Sequence, residues 1–215
     1  MRTVDISGLR PAWRYQEYLA LADKLRSRRR EVLLFCEHAP TITAGLQSRP
    51  GSLLVSREHL RQIGVELQNV RRGGDLTAHE PGQLVTYAHI DLTRRAIPLR
   101  SLAPLLLEVT MRSLKEVWNL ETQTATDAPG LYLPDGRKLV SIGLQVRRGF
   151  SSDGLALNVT NSLKTFQFIH PCGFSGLRMV SLSQLGLDCT RVALYKQQWD
   201  ELVREHLGDW PGSLD

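Results

Sequence analysis

Val65-Glu66-Leu67-Gln68-Asn69-Val70 runs straight into Arg71-Arg72-Gly73-Gly74-Asp75-Leu76-Thr77-Ala78-His79-Glu80-Pro81-Gly82-Gln83. The first six residues alternate apolar and polar, the period of a half-buried strand. From Gln83 to Leu92 a second run has strand character. The glycine-rich loop therefore joins two strands, not a strand to a helix. That argues against a phosphate-binding loop or a dinucleotide fingerprint, both of which need a helix N-terminus. Gly73 and Gly74 let the backbone approach a ligand closely, and their N–H groups are candidate donors to a developing oxyanion. A plain tight turn between strands is the simpler alternative.

Helices and strands alternate irregularly on either side of this loop. Tyr15, Leu19 and Ala22, beside Tyr18, Leu21 and Leu25, predict an amphipathic helix over 12–30. Strands are expected at 31–36 and 41–44, and a short helix capped by Ser56 reaches Gln62 and stops at Gly64. A longer helix to about Trp118 is expected to start at a Ser101 cap, with Pro104 tolerated in its first turn. The turn Pro134-Asp135-Gly136 precedes a strand from Lys138 to Val146, which sets Lys138 beside the turn, within reach of a surface site. A strand over 155–159 and a helix over 193–207 follow. The order predicts one α+β domain over 1–215, with a mixed or largely antiparallel sheet.

With 42% hydrophobic and 23% charged residues, the chain supports a core and is not expected to be disordered. The N-terminal residues lack a signal-peptide h-region, and no run approaches the ~18 apolar residues of a membrane span. Cys36, Cys172 and Cys189 form no metal-type spacing, which points to a reduced, cytosolic setting. The formal charge of +5 suits an acidic partner. Nucleic acid is disfavoured, since no zinc-finger spacing, basic-aromatic sheet motif or basic heptad helix is present.

Cys172 stands between Pro171 and Gly173, where one neighbour fixes a dihedral and the other permits unusual ones. An ordered turn is expected, with a soft nucleophile on it. A thiol of pKa about 8.5 needs a base or cation to ionise at neutral pH. Lys138 is a candidate base, since burial lowers a lysine pKa, and His38 and His79 are alternatives. A small buried cysteine and an exposed turn lysine are the ordinary readings of the same residues. Cys36 reads as core, and Cys189 as inert.

Taken in order, these segments resemble a known family. Glu37-His38-Ala39-Pro40, Arg72-Gly73-Gly74-Asp75-Leu76-Thr77, His79 with Pro81-Gly82-Gln83, and Asp127-Ala128-Pro129-Gly130 carry the resemblance. So do Lys138 with Ser141-Ile142-Gly143, Gly154-Leu155-Ala156-Leu157-Asn158-Val159 and Pro171-Cys172-Gly173. The chain is similar over roughly 30–185 to the lipoyl(octanoyl) transferases, which move octanoyl groups from acyl carrier protein onto lipoyl domains. The resemblance implies a mixed, largely antiparallel sheet with flanking helices and a smaller second sheet, as in biotin protein ligases and lipoate ligases. It implies Cys172 as nucleophile and Lys138 as base, with an acyl-Cys172 thioester between two transfers. It further implies a substrate site of Arg72, Gly73, Gly74, Asp75, Leu76, Thr77, Ala78, His79, Ser141, Ile142, Gly143, Asp153, Gly154, Leu155 and Ala156. Octanoyl-acyl carrier protein, the lipoyl domains of 2-oxoacid dehydrogenases and the glycine cleavage H protein are the implied partners, in the cytoplasm. Neither cofactor nor metal is implied, because both transfers start from a thioester.

Three positions depart from the family pattern. Ala78 stands for a tyrosine, which is expected to open the pocket. Glu80 stands for a glycine, adding a charge expected to alter the loop. Asp153 stands for a histidine, and near Lys138 its carboxylate would raise the lysine's pKa. Two other readings compete: an ATP-dependent lipoate- or biotin-type ligase, which needs no cysteine at this turn, and a non-catalytic binding relative.

Overall fold

The computed structural model describes residues 1–8 and 12–207. Its strands are β1 (Arg2–Asp5), β2 (Val32–Cys36), β3 (Thr41–Ala44), β4 (Glu66–Asn69), β5 (Leu76–His79), β6 (Gln83–His89), β7 (Gln123–Thr124), β8 (Gly130–Tyr132), β9 (Lys138–Arg147) and β10 (Phe150–Asn158). The α-helices are α1 (Tyr15–Ser27), α2 (Arg57–Gln62), α3 (Leu99–Trp118) and α4 (Val192–Leu207). Seven strands form the main sheet in the order β1-β2-β6-β10-β9-β8-β7, and a second sheet runs β4-β3-β5. Among the described strands β1 on β2 and β3 on β4 pair parallel and the other pairs antiparallel. The expected α+β class, with its largely antiparallel sheet and smaller second sheet, is the one observed.

Strand β6 shows why the main sheet is central. Leu84 and Ala88 turn to a core shared with α3 and α4. Val85 and Tyr87 turn to the opposite core, made with Tyr15, Tyr18 and Ala22 of α1. With both faces covered, the whole strand is buried. The small sheet has its own core, in which Ile42, Leu76 and Ala78 meet Leu163, Phe166 and Ile169. Among the described residues no helix is long and apolar enough to cross a membrane.

Several local expectations change. The glycine loop contains a strand of its own, β5, which returns antiparallel to β3 in the small sheet. Its four residues are flanked by Asp75 and Glu80, too short a run for periodicity to mark. Helix α1 is shorter than 12–30: the Glu17 carboxylate accepts from the Arg14 N–H at 3.0 Å to begin it, and Arg29 takes a φ of 46° beyond its end. Helix α3 starts at Leu99 after Pro98, not at a Ser101 cap, so Pro104 lies in its second turn. Short strands β1, β7 and β8 carry too few residues to be read from sequence, and β10 starts five residues before Leu155.

Candidate active site

Cys172 occupies the centre of a 3-10 turn, Pro171–Gly173, with φ 57° and ψ 16°. A non-glycine residue in this left-handed region is strained by about 1–2 kcal/mol, and such strain concentrates at functional sites. The turn is tied down: His170 N–H donates to Ser52 O at 2.8 Å, and Gly173 N–H to His170 O at 2.9 Å. Asp75 lies beneath it. Its carboxylate accepts from Ser52 Oγ at 2.6 Å, and a Cβ on Gly173 would come 2.7 Å from Asp75 Oδ2.

Lys138 opens β9 as expected, but its side chain turns inward and is fully buried. Its Nζ donates to Pro129 O at 2.8 Å and to Ala128 O at 3.4 Å, and lies 3.3 Å from Cys172 Sγ. Burial pulls the lysine's pKa below the ordinary lysine range; the thiol beside it pulls the other way, and Arg72 adds to the lowering. A buried lysine whose charged form is disfavoured, in contact with a thiol, is the arrangement a proton transfer needs. Gly130 makes room for it, since a Cβ there would stand 2.5 Å from Lys138 Cε.

Arg72 crosses the site over Gly143, where a Cβ would come 2.7 Å from Arg72 Cδ. Its guanidinium donates to Thr43 O and Thr43 Oγ1, both at 2.8 Å, and to Gly73 O at 2.9 Å. A fixed cation thus stands close enough to feel both the Cys172 thiol and Asp153.

The turn opens on a cavity of about 400 Å³ between the α1 face of the main sheet and the glycine loop. Arg72, Gly73, Gly74, Asp75, Leu76, Thr77 and His79 line one side, and Ser141, Ile142, Gly143, Asp153, Gly154, Leu155 and Ala156 another. Cys172 is among the lining residues. Tyr15, Val85 and Tyr87 also line it; Tyr15 was expected on a helix face only as core. The Lys138 acceptors Ala128 and Pro129 were likewise missed as site residues, although their segment carries the family resemblance.

Four site expectations fail. Ala78 does not line the cavity; it is fully buried in the small-sheet core, so its missing aromatic ring opens nothing there. The Gly73 and Gly74 N–H groups are already used, donating to Leu144 O at 3.2 Å and Gln47 Oε1 at 2.9 Å. Glu80 does not disturb the loop. Its buried carboxylate accepts from Leu163 N–H, from Thr165 N–H at 3.0 Å and from Thr165 Oγ1 at 2.7 Å. Asp153 meets Tyr18 and Arg72 instead of Lys138: Tyr18 hydroxyl donates to Oδ1 at 3.3 Å.

The alternative bases point elsewhere. His38 Nε2 lies 2.8 Å from Tyr87 hydroxyl, and burial lowers its pKa to about 4. His79 Nδ1 lies 2.8 Å from Gln83 Oε1, and burial, followed by the neighbouring His38, lowers its pKa to about 3. Both are neutral near pH 7. Cys36 is fully buried, and Cys189 packs against the main core with its Sγ near the Val159 and Leu187 carbonyls.

Comparison with known proteins follows the same lines. An octanoyltransferase of Leptospira interrogans is 44% identical over 191 residues, covering 88% of this chain and 86% of its own length. One from Azoarcus is 36% identical over 194 residues, covering 90% and 82%. Among solved structures, lipoate-protein ligase A bound with ATP superposes with a TM-score of 0.71 at 15% identity, over 96% of this chain and 85% of that one. A bi-partite lipoate protein ligase from Thermoplasma acidophilum gives 0.68 at 16% identity, over 96% and 82%. These two share the fold. The family model for the lipoyl protein ligase A/B catalytic domain matches residues 9–200, and the chain belongs to that family.

Proposed function

We propose that this chain is an octanoyltransferase that forms an acyl-enzyme on Cys172. The contact of Lys138 Nζ with Cys172 Sγ, at 3.3 Å on the edge of the cavity, carries the reading. Relatives at 36–44% identity that bear the name octanoyltransferase support the group transferred.

In the first half-reaction Lys138 takes the Cys172 proton, and the thiolate attacks the thioester carbonyl of octanoyl-acyl carrier protein. The tetrahedral intermediate collapses, the carrier sulfur leaves with the proton held by Lys138, and octanoyl-Cys172 remains. In the second, the neutral ε-amine of a lysine on a lipoyl domain attacks that thioester. An amide bond forms, Cys172 sulfur leaves, and Lys138 relays the amine's proton to it. Thioester exchange is close to neutral and amide formation is downhill, so the sequence runs without ATP. Lipoyl domains of 2-oxoacid dehydrogenases and the glycine cleavage H protein are the acceptors, in the cytoplasm. Acidic carriers and acceptors suit the net charge of +5.

Intact mass spectrometry of the protein mixed with octanoyl-acyl carrier protein, without ATP, tests this beside Cys172→Ser. The expected result is an octanoyl adduct on the wild type only, labile to hydroxylamine and discharged by a lipoyl domain. Attachment that requires free octanoate and ATP would replace the transferase by a ligase.

A further inference from the structure

Beyond Arg72 the cavity reaches a wall that the chemistry at Cys172 does not use, and Asp153 forms part of it. Asp153 is 6% exposed, yet among the described residues just one of its carboxyl oxygens has a hydrogen-bond partner, the Tyr18 hydroxyl on Oδ1. The Asp153 N–H in turn donates to that hydroxyl at 2.9 Å, which fixes the pair. Alternation along β10 sends Leu155 and Leu157 to the α3–α4 core and would send Asp153 with them. Instead Asp153 takes a φ of 65° and meets Tyr18 on the α1 side. A positive φ within a strand is costly for a residue with a Cβ, and here it carries a carboxyl into a substrate cavity.

The sheet supplies a ruler. Lys138 Nζ, in contact with Cys172 Sγ, would be 3.1 Å from a Cβ on Gly130. Gly130 pairs with Ser141, so the thiol reacts near the level of the Ser141–Ala156 pair. Asp153 pairs with Leu144, three residues farther along β9. At about 3.4 Å per residue the separation along the strand is roughly 10 Å. The seven C–C bonds of an octanoyl chain, about 1.5 Å each in a zigzag, advance roughly 9 Å. Arg72, over Gly143, lies between the two ends.

We propose that Asp153 determines acyl-chain length, standing at the ω-end of an eight-carbon chain and rejecting longer unsubstituted chains. The next methylenes would press on the open carboxyl oxygen and strip it of water without offering a hydrogen bond. Tyr18 holds the carboxyl against that pressure. This inference rests on the acyl-transfer reading of Cys172.

The test loads C8, C10 and C12 acyl groups on one carrier and compares kcat/KM for acyl-Cys172 formation in wild type, Asp153→Gly and Asp153→Asn. Glycine accepts the positive φ and deletes the carboxyl, and asparagine keeps its shape without the charge. A single methylene at a pocket wall changes kcat/KM by about 10–200-fold. The C12:C8 ratio is therefore expected to rise at least roughly tenfold in Asp153→Gly, and less in Asp153→Asn. Because a ratio is read, a general loss of activity does not imitate the effect. Ratios equal to wild type in both variants would overturn the inference and leave acyl transfer standing. Failure of the wild type to take any of the three chains onto Cys172 would overturn the transferase reading, and this inference with it.

Discussion

Replacing Lys138 by methionine should separate chemistry from stability at this site. The amine is fully buried and held by Pro129 O, Ala128 O and Cys172 Sγ. Methionine keeps an unbranched stem of similar length and fills the same space. It removes a group that costs free energy to bury charged, but leaves Pro129 O without its donor, a loss of about 1–3 kcal/mol. Ala128 O keeps the Tyr132 hydroxyl as donor. These effects oppose each other, so urea denaturation should place the variant within about 2 kcal/mol of wild type. Acylation should fall by the roughly 10²–10⁴-fold of a lost general base, or about 3–5 kcal/mol of transition-state stabilisation. Single-turnover octanoylation of Cys172, followed by quenched-flow mass spectrometry, reads the rate. Acylation within tenfold of wild type would remove Lys138 from the proton transfer. A stability loss beyond about 4 kcal/mol would refute the balance argued here and make the amine chiefly structural.

Three other outcomes follow from the geometry. Gly130→Ala places a Cβ 2.2 Å from Val140 O and 2.5 Å from Lys138 Cε, at a φ of 149°. It should cost about 1–3 kcal/mol and slow acylation by displacing the amine; wild-type kinetics would show that β8 yields without moving Lys138. Glu80→Ala strips the acceptor from the buried Leu163 and Thr165 N–H groups and should cost about 2–4 kcal/mol in denaturant unfolding, so a loss under about 1 kcal/mol would mean that water replaces the carboxylate. For Asp153, burial raises the pKa to about 6, against the opposing pull of Arg72 and Tyr18. The native state therefore holds this proton where the unfolded chain has released it, so the contribution is greatest below about pH 4 and fades as pH rises through about 6. Stability of wild type minus that of Asp153→Asn should fall by about 2 kcal/mol between pH 4 and 7, and a pH-independent difference would show that burial does not shift the native carboxyl.

Sequence alone determined the class of the fold and the two residues of greatest chemical interest. Alternation in Val65–Val70 marked one strand, because burial of one face imposes a period of two, and the largely apolar run after Gln83 marked another that is buried on both faces. Pro171 and Gly173 marked an ordered turn at Cys172, since both act on local backbone dihedrals. Ordered family motifs singled out Lys138. What sequence left open depends on contacts between distant segments. Lys138 and Cys172 are 34 positions apart, and only the pairing of β8 with β9, with the docking of the Cys172 turn over Asp75, brings amine to thiol. Ala78 sits in the small-sheet core because the glycine loop folds back as β5 against β3. Glu80 is harmless because backbone from 163 to 165 satisfies it. Asp153 meets Tyr18 and not Lys138 because one positive φ overrides strand alternation. Periodicity and turn chemistry are local properties, written in neighbouring residues; the partner of a buried charge is set by packing, which no short window of sequence contains.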